Sequence, residues 1–348
     1  MKIALDAMGG DCAPKEIVEG AILCAREGKK DLEIILVGDP ERIQSILDKH
    51  DAGHLNLSIH PASEVIHMNE SPVDGLRKKK DASIARAVEL VKKGQAEAVV
   101  SAGNTGACVA AAKLKLRFLA GVDRPGIAAM MPNMAGEYNI LIDAGATVDC
   151  STEHLLCFAI MGHIYAKFAL KKDLPKVGIL NVGEEDVKGN DLTKKTFRTM
   201  RELPINFIGN VEGRDIFRSV ADVIVADGFV GNVALKSSEG GGRLLMSIIK
   251  KEIYKSFFTK MGALLMRPAF DSLKKVADYA ERGGAPLLGV NGICIICHGR
   301  STAKAIKNAI LVAEGLVQCK LNMHIEEEIG KVQNILQNID RKTPTSSA

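Results

Sequence analysis

Apolar residues come along the chain in two alternating rhythms. Short runs rich in Val and Ile, apolar almost throughout, occupy residues 2–7, 32–38, 55–60, 96–101, 126–131, 138–143, 176–182, 205–208, 222–226 and 292–297. Between them, apolar residues recur at helical spacing over 14–28, 40–50, 82–94, 105–119, 152–170, 190–201, 230–258, 301–316 and 323–338. A strand that is apolar at successive positions is covered on both faces. Such strands alternating with helices predict an α/β fold of Rossmann-like plan, a mostly parallel sheet with helices on both faces. Ligands of these folds bind beyond the carboxyl ends of strands, where turns run into helix N-termini. The turns are therefore where chemistry is expected.

Three of them share a plan. AEAVVSAGNTGACVA (96–110) aligns with ADVIVADGFVGNVAL (221–235), each a strand followed by Gly-x-x-Gly and a helix, and GICIICHGRSTAKAIKNAI (292–310) repeats strand, turn and helix. Helix N-termini offer free N–H groups and the positive end of a dipole, and small residues let an anion approach the backbone. Three of them facing one cleft predict an oxyanion or phosphate site. The first strand ends in LDAMGGDCAPKE, where Gly9, Gly10 and Asp11 bring flexible backbone and an acid to the same edge. In NVGEEDVKGND (181–191), Lys188 is a mobile cation that the neighbouring acids can position, and Asn190 or Asp191 suits the cap of the next helix. ADGFVGN (226–232) places Asp227 at a strand end and Asn232, an uncharged amide donor, in the following helical turn, while His298 ends another strand.

Composition removes several alternatives. Lys and Arg number 46 against 42 Asp and Glu, and only 4% of residues are aromatic, so no basic, aromatic-interleaved surface for nucleic acid is expected. No apolar run is long enough to span a bilayer, and Met1-Lys2-Ile3-Ala4-Leu5-Asp6 lacks the pattern of a signal peptide. The eight cysteines fall mostly within apolar strands and helices, as reduced buried thiols do. Cys294 and Cys297 form C-x-x-C inside a strand, where positions three apart point to opposite faces, which argues against a metal or redox pair. No metal and no cofactor are expected: metal-ligand spacings, the P-loop, G-x-S-x-G, H-E-x-x-H and the dinucleotide fingerprint are absent.

Taken together, DAMGGD (6–11), SAGNTGA (101–107), NVGEEDVKGN (181–190), ADGFVGN (226–232) and GGAPLLGVNGICIICHG (283–299) closely resemble the phosphate acyltransferase family PlsX, in order, from residue 1 to about 335. The resemblance implies a fold similar to phosphotransacetylases and isopropylmalate dehydrogenases. It implies transfer of a fatty acyl group from acyl carrier protein to inorganic phosphate, yielding acyl phosphate for phospholipid synthesis. It also implies a homodimer and a membrane-bound glycerol-3-phosphate acyltransferase as the downstream partner. Two positions depart from the family pattern: Thr147 stands where Asn is expected, and Arg300 where a small residue is expected.

The chemistry fits the missing motifs. Phosphate, with a second pKa of about 6, is largely dianionic at neutral pH, and a pantetheine thiol with pKa about 8.5 is a good leaving group. Direct attack needs no acyl-enzyme. The expected catalytic residues are Lys188 for charge stabilisation of phosphate or oxyanion, Asn232 as oxyanion donor, and His298 for phosphate orientation or thiolate protonation. Expected around the substrate and phosphate are Asp6, Gly9, Gly10, Asp11, Ser101, Gly103, Asn104, Thr105, Gly106, Asp143, Gly183, Glu184, Asp227, Gly228 and Gly231. The alternatives in view are a phosphotransacylase using coenzyme A thioesters, a dehydrogenase on a related fold, and a non-catalytic lipid-regulatory protein.

One catalytic domain is expected over 1–340, with a projecting helical hairpin at about 243–282 and a disordered tail over 341–348. Leu244, Leu245, Ile248, Ile249, Ile253 and Phe257 form a stripe that suits a dimer interface, and Pro268 is expected to end the first hairpin helix or open the second. The apolar tip Leu264-Leu265-Met266, flanked by Lys260 and Arg267, suits reversible contact with an anionic lipid surface, placing the protein in the cytoplasm against the inner face of the cell membrane. Arg77 to Lys80, or Lys250, Lys251, Lys255 and Lys260, are candidate docking patches for the acidic carrier.

Overall fold

The computed structural model describes residues 1–27, 31–270 and 283–338. The chain begins β1 (Lys2–Asp6), α1 (Lys15–Ala25), β2 (Glu33–Gly38), α2 (Pro40–Lys49), β3 (Leu57–Pro61), α3 (Pro72–Lys78), α4 (Ser83–Lys92), β4 (Ala98–Ser101) and α5 (Thr105–Lys115). It continues with β5 (Gly126–Ile127), β6 (Ala129–Pro132), β7 (Tyr138–Ile142), α6 (Thr152–Ile164), β8 (Lys176–Leu180), α7 (Asp191–Met200), β9 (Asn206–Val211) and β10 (Val223–Val225). The long helix α8 (Gly228–Ile253) and α9 (Phe257–Leu265) precede β11 (Ala285–Leu288), β12 (Ile293–Ile296), α10 (Ala303–Gln318) and α11 (Leu321–Asn338).

The strands divide between two sheets. Seven run in the order β3-β2-β1-β4-β12-β11-β5 and five in the order β6-β7-β10-β8-β9. All pairs are parallel except β11 with β12, β11 with β5, and β6 with β7. The apolar run 126–131 is shared between the sheets, its first residues becoming β5 and its last entering β6. Strand β11 carries a weak signal because its Ala-Pro-Leu-Leu is short and follows two glycines. Helix α3 escapes the periodicity for a similar reason: it is brief, and Pro72 at its first turn is its main sequence mark.

The strand sequences explain their placement. β4 and β12 are buried at every position, and β1 at all but its first. The largest apolar cluster joins Ile3, Leu5 and Leu36 of one sheet to Ile140, Ile142 and Val223 of the other through α6 and α10. Complete burial of such side chains contributes about 1.5–3 kcal/mol each. A second cluster packs α4 and α5 on β4 and β12, and includes Ala144, Ala146 and Leu235 from the turn after β7 and from α8. Helix α5 of the first sheet therefore supports a turn of the second.

Cys294 belongs to this second cluster and Cys297 to the first, on opposite faces of β12. Cys294 Sγ instead lies 3.5 Å from Cys108 Sγ of α5. Helix α8 buries only Gly228 and Gly231, and leaves Leu244, Leu245 and Ile248 at 63%, 60% and 49% exposure. The first hairpin helix breaks before Pro268, α8 ending at Ile253 and Ser256 capping α9 through the amide of Thr259. After a turn at Met266 helix resumes at 267 with Pro268 in its first turn, as one of the two expected roles for that proline requires. The expected second hairpin helix beyond residue 270, the hairpin's end and the tail 341–348 lie outside the described residues.

Helix α1 packs closely on α10 because Gly20 has no side chain. A Cβ there would sit 2.6 Å from Ile306 Cβ and 2.7 Å from the Ala303 carbonyl oxygen. Gly20→Ala is expected to destabilise the fold by about 1–3 kcal/mol in spite of alanine's better helix propensity. A melting temperature equal to or above that of the parent would contradict this packing.

Candidate active site

Carboxyl ends of neighbouring strands carry the chemistry-bearing turns. In the first sheet, Asp6 ends β1, Ser101 ends β4, and His298 follows β12. Ser101 Oγ donates to Asp6 Oδ2 at 2.7 Å and accepts from the Gly103 amide at 3.1 Å. Asp6 is buried, and burial raises its pKa against the opposing influence of Ser83, Ser101 and the nearby amides of Met8 and Gly9. Its Oδ1 has no partner at hydrogen-bonding geometry. Glycines hold these turns together: a Cβ on Gly9 would collide with Asp6 and with Gly103, and one on Gly10 would press on the carbonyls of Ala102 and Gly299. The Asp11 amide donates to the Gly299 carbonyl at 2.7 Å, joining the first turn to the last.

The second sheet is organised by Asp143, which ends β7. Its Oδ1 accepts from the amides of Ile127, Gly145 and Ala146 at 2.8–2.9 Å, and its Oδ2 from that of Thr147 at 2.7 Å. Asp143 is fully buried, and burial raises its pKa while the four amides oppose the rise. Gly228 and Gly231 bring α8 against this loop, since a Cβ on either would run into the backbone oxygen of Thr147 or Asp143. Asn232 consequently packs beside Gly145, with its amide exposed. Strand β10 lies between β7 and β8, so the Lys188 loop after β8 opens at the same end.

Several sequence expectations change here. The Gly228–Gly231 turn offers no free amide: Gly228 donates to Thr147, Phe229 and Val230 to Asp227 Oδ1, and Gly231 to the Asp227 carbonyl. The start of α10 is likewise occupied, the Ala303 amide donating to Glu16 Oε2 at 2.7 Å and the Ala305 amide to Thr302. Of the three turns, the SAGNTG turn alone stays open among the described residues. Asn104 caps Ala107 and donates its side-chain amide to the carbonyls of His67, Met68 and Glu70, while the amides of Thr105 and Gly106 find no acceptor among the described residues.

Asp143 spends both carboxylate oxygens on building its turn, and Asp227 spends Oδ1 on the cap of α8. The acids near Lys188 do not hold it: Glu184 pairs with Arg214 and Asp186 with Arg201. Lys188 is exposed, its stem lying over Gly183, and no carboxylate pairs with it among the described residues. Asn190 supplies the α7 cap, accepting from the Thr193 amide. Thr147, the departure from the family pattern, turns its hydroxyl away to the Pro125 carbonyl at 3.0 Å, and Arg300 lies 3.8 Å from Asp11.

His298 is half-buried, and its Nδ1 accepts from the Arg300 amide at 3.1 Å, which leaves the ring proton on Nε2. Burial lowers its pKa below 6.5; the charges of Lys236, Arg243 and Arg300 lower it further and that of Glu239 opposes them. Lys236, Glu239 and Arg243 stand on α8, so charges on the helix of the second sheet reach the histidine of the first. A second link, missed in the sequence, is Lys113 of α5, whose Nζ donates to the Ala146 carbonyl at 3.3 Å.

Among the described residues no group of three His, Cys, Asp or Glu side chains is placed to hold a metal. Cys150, beside Thr147, has its thiol pushed up to about 11 by burial, and Cys297 to about 12. Neither is a thiolate at neutral pH.

Comparison with known proteins agrees with this architecture. Residues 1–324 match the family model described as a fatty acid synthesis protein. The phosphate acyltransferase of Pelotomaculum thermopropionicum is 50% identical over 346 residues, covering 98% of this chain and all of that one. That of Heliobacterium modesticaldum is 53% identical over 337 residues, covering 96% and 100%. The chain belongs to the phosphate acyltransferase family. Its fold is shared with a phosphotransacetylase from Streptococcus pyogenes, with a TM-score of 0.63 at 18% identity over 91% of this chain and 94% of that one. This phosphate acyltransferase presents a turn with two amides left without an acceptor among the described residues and a histidine whose pKa is lowered by burial.

Asp143→Asn keeps the shape of the loop's anchor but turns an N–H₂ toward amides that already donate. It is expected to destabilise the protein by about 1.5–3 kcal/mol per lost charged hydrogen bond. Denaturant unfolding checks this, and an unchanged midpoint would remove Asp143 as the anchor of the loop.

Proposed function

We propose that this acyltransferase moves a fatty acyl group from acyl carrier protein to inorganic phosphate. The observation that carries the reading is the open amide pair of Thr105 and Gly106 after β4, with His298, its pKa lowered by burial, following the neighbouring strand β12, and no thiolate prepared for attack among the described residues. Phosphate binds at the SAGNTG turn, where helix-terminal N–H groups and the α5 dipole favour a dianion. A phosphate oxygen attacks the thioester carbon. The carbonyl becomes an oxyanion, stabilised by Asn232 and the Lys188 ammonium, and collapse breaks the C–S bond. The pantetheine thiolate leaves and takes its proton from solvent, and acyl phosphate remains. The neutral imidazole is a poor acid toward a thiolate but a good Nε2–H donor, so its role is to orient phosphate.

Release of free thiol from acyl carrier protein thioester is expected to require phosphate, and Lys188→Ala and Asn232→Ala are each expected to lower it about a hundredfold. Thiol release independent of phosphate would refute the acceptor, and preference for a coenzyme A thioester would refute the donor.

The exposed apolar face of α8 supports a homodimer. The tip of α9, where Leu264, Leu265 and Met266 are 68%, 80% and 56% exposed, supports reversible contact with the inner face of the cell membrane. Among the described residues no helix is long and apolar enough to cross a membrane. Surface contact would bring acyl phosphate, an activated and amphiphilic product, to a membrane-bound glycerol-3-phosphate acyltransferase. Replacing Leu264 and Leu265 together by Glu is expected to abolish flotation with anionic liposomes while activity in solution persists. Unchanged flotation would exclude the tip.

A further inference from the structure

The face of α8 that bears Asn232 continues beyond it. Lys236, Glu239 and Arg243 follow Asn232 by four, seven and eleven residues. At about 100° per residue these four side chains fall within about 60° of one another around the helix axis, as one row. Lys236 stands about 6 Å further along that row than Asn232. Leu235, next to Lys236 on α8, packs against the cluster built on β4 and β12, so this side of the helix lies toward the first sheet, and the charges of Lys236, Glu239 and Arg243 are felt at His298. Lys236 Nζ pairs with Glu239 Oε2 at 3.2 Å, with side chains 56% and 29% exposed. The amides at the start of α8 are closed by Asp227, so whatever positive charge this side of the cleft offers a ligand comes from side chains. His298, held neutral, supplies none.

We infer that Lys236 is a further substrate-binding residue, a cation on the Asn232 face of α8 that meets a phosphate group in the cleft, with Glu239 holding it in place until the ligand arrives. The inference rests on the proposed acyl transfer for its substrates but not for its test. Two phosphate groups could meet Lys236: the orthophosphate acceptor, or the phosphodiester of the donor's phosphopantetheine arm. Both take the same ammonium contact.

The experiment compares the parent with Lys236→Met and Lys236→Arg. Calorimetric titration uses orthophosphate and, separately, coenzyme A as a carrier of the same arm, and KM for phosphate and for acyl carrier protein thioester is measured alongside. Lys236→Met is expected to weaken binding of one of the two ligands about tenfold or more, with a matching rise in that substrate's KM, kcat little changed, and the melting temperature preserved. Lys236→Arg is expected to recover most of the loss. Weakened orthophosphate binding assigns Lys236 to the acceptor, and weakened coenzyme A binding assigns it to the donor arm. If Lys236→Met binds both ligands as the parent does, the inference is wrong. If the parent binds phosphate through Lys236 yet transfers no acyl group to it, the inference stands and the proposed reaction fails.

Discussion

A buried carboxylate that gathers four amides fixes the geometry of the second half of the site. Asp143 draws Ile127, Gly145, Ala146 and Thr147 around itself, and so shapes the loop on which α8 rests. A carboxylate with no exposure would be strongly disfavoured unless its oxygens were met, and here each is. The glycines at 228 and 231 are a consequence: α8 can dock on that loop only where no Cβ intervenes. The position of Asn232, and of every residue on the same face of α8, follows from this one anchor.

The first sheet solves a different problem with the same materials. Asp6 also sits buried at a strand end, but one of its oxygens is left without a partner and Ser101 satisfies the other. Around it the SAGNTG turn keeps two amides unused, whereas the N-termini of α8 and α10 are closed by Asp227 and Glu16. One half of the site therefore keeps backbone amides unpaired, while the other has its helix-terminal amides closed and presents side chains. Burial and the neighbouring cations lower the pKa of His298, against the opposing charge of Glu239.

The two sheets are tied at their edges and through α5. The run 126–132 passes from one sheet to the other, α5 packs beneath Ala144, Ala146 and Leu235, and Lys113 reaches the Ala146 carbonyl. Displacement of α5 would therefore move both the open turn at its N-terminus and the loop beside Asn232. The exposed apolar face of α8 stands outside this framework, since among the described residues packing fully buries only Gly228 and Gly231 of that helix.

The sequence by itself determined the alternation of apolar strands and helices, the turns that carry polar residues, and the opposite facing of Cys294 and Cys297, because these depend on local period and on the pleat of a strand. Runs such as IALD, IILVG and ICII can only be covered on both faces. Only the tertiary structure decided which turns stay open. An Asp at a helix start reads the same whether it binds a ligand or caps its own amides, and Glu16 closes the start of α10 from 287 residues away. Nor does local pattern reveal that Glu184 is claimed by Arg214, that Thr147 turns to Pro125, or that charges on α8 reach His298. Those are competitions for hydrogen bonds and charge among groups distant in the chain, and they are settled by which groups the fold brings within reach.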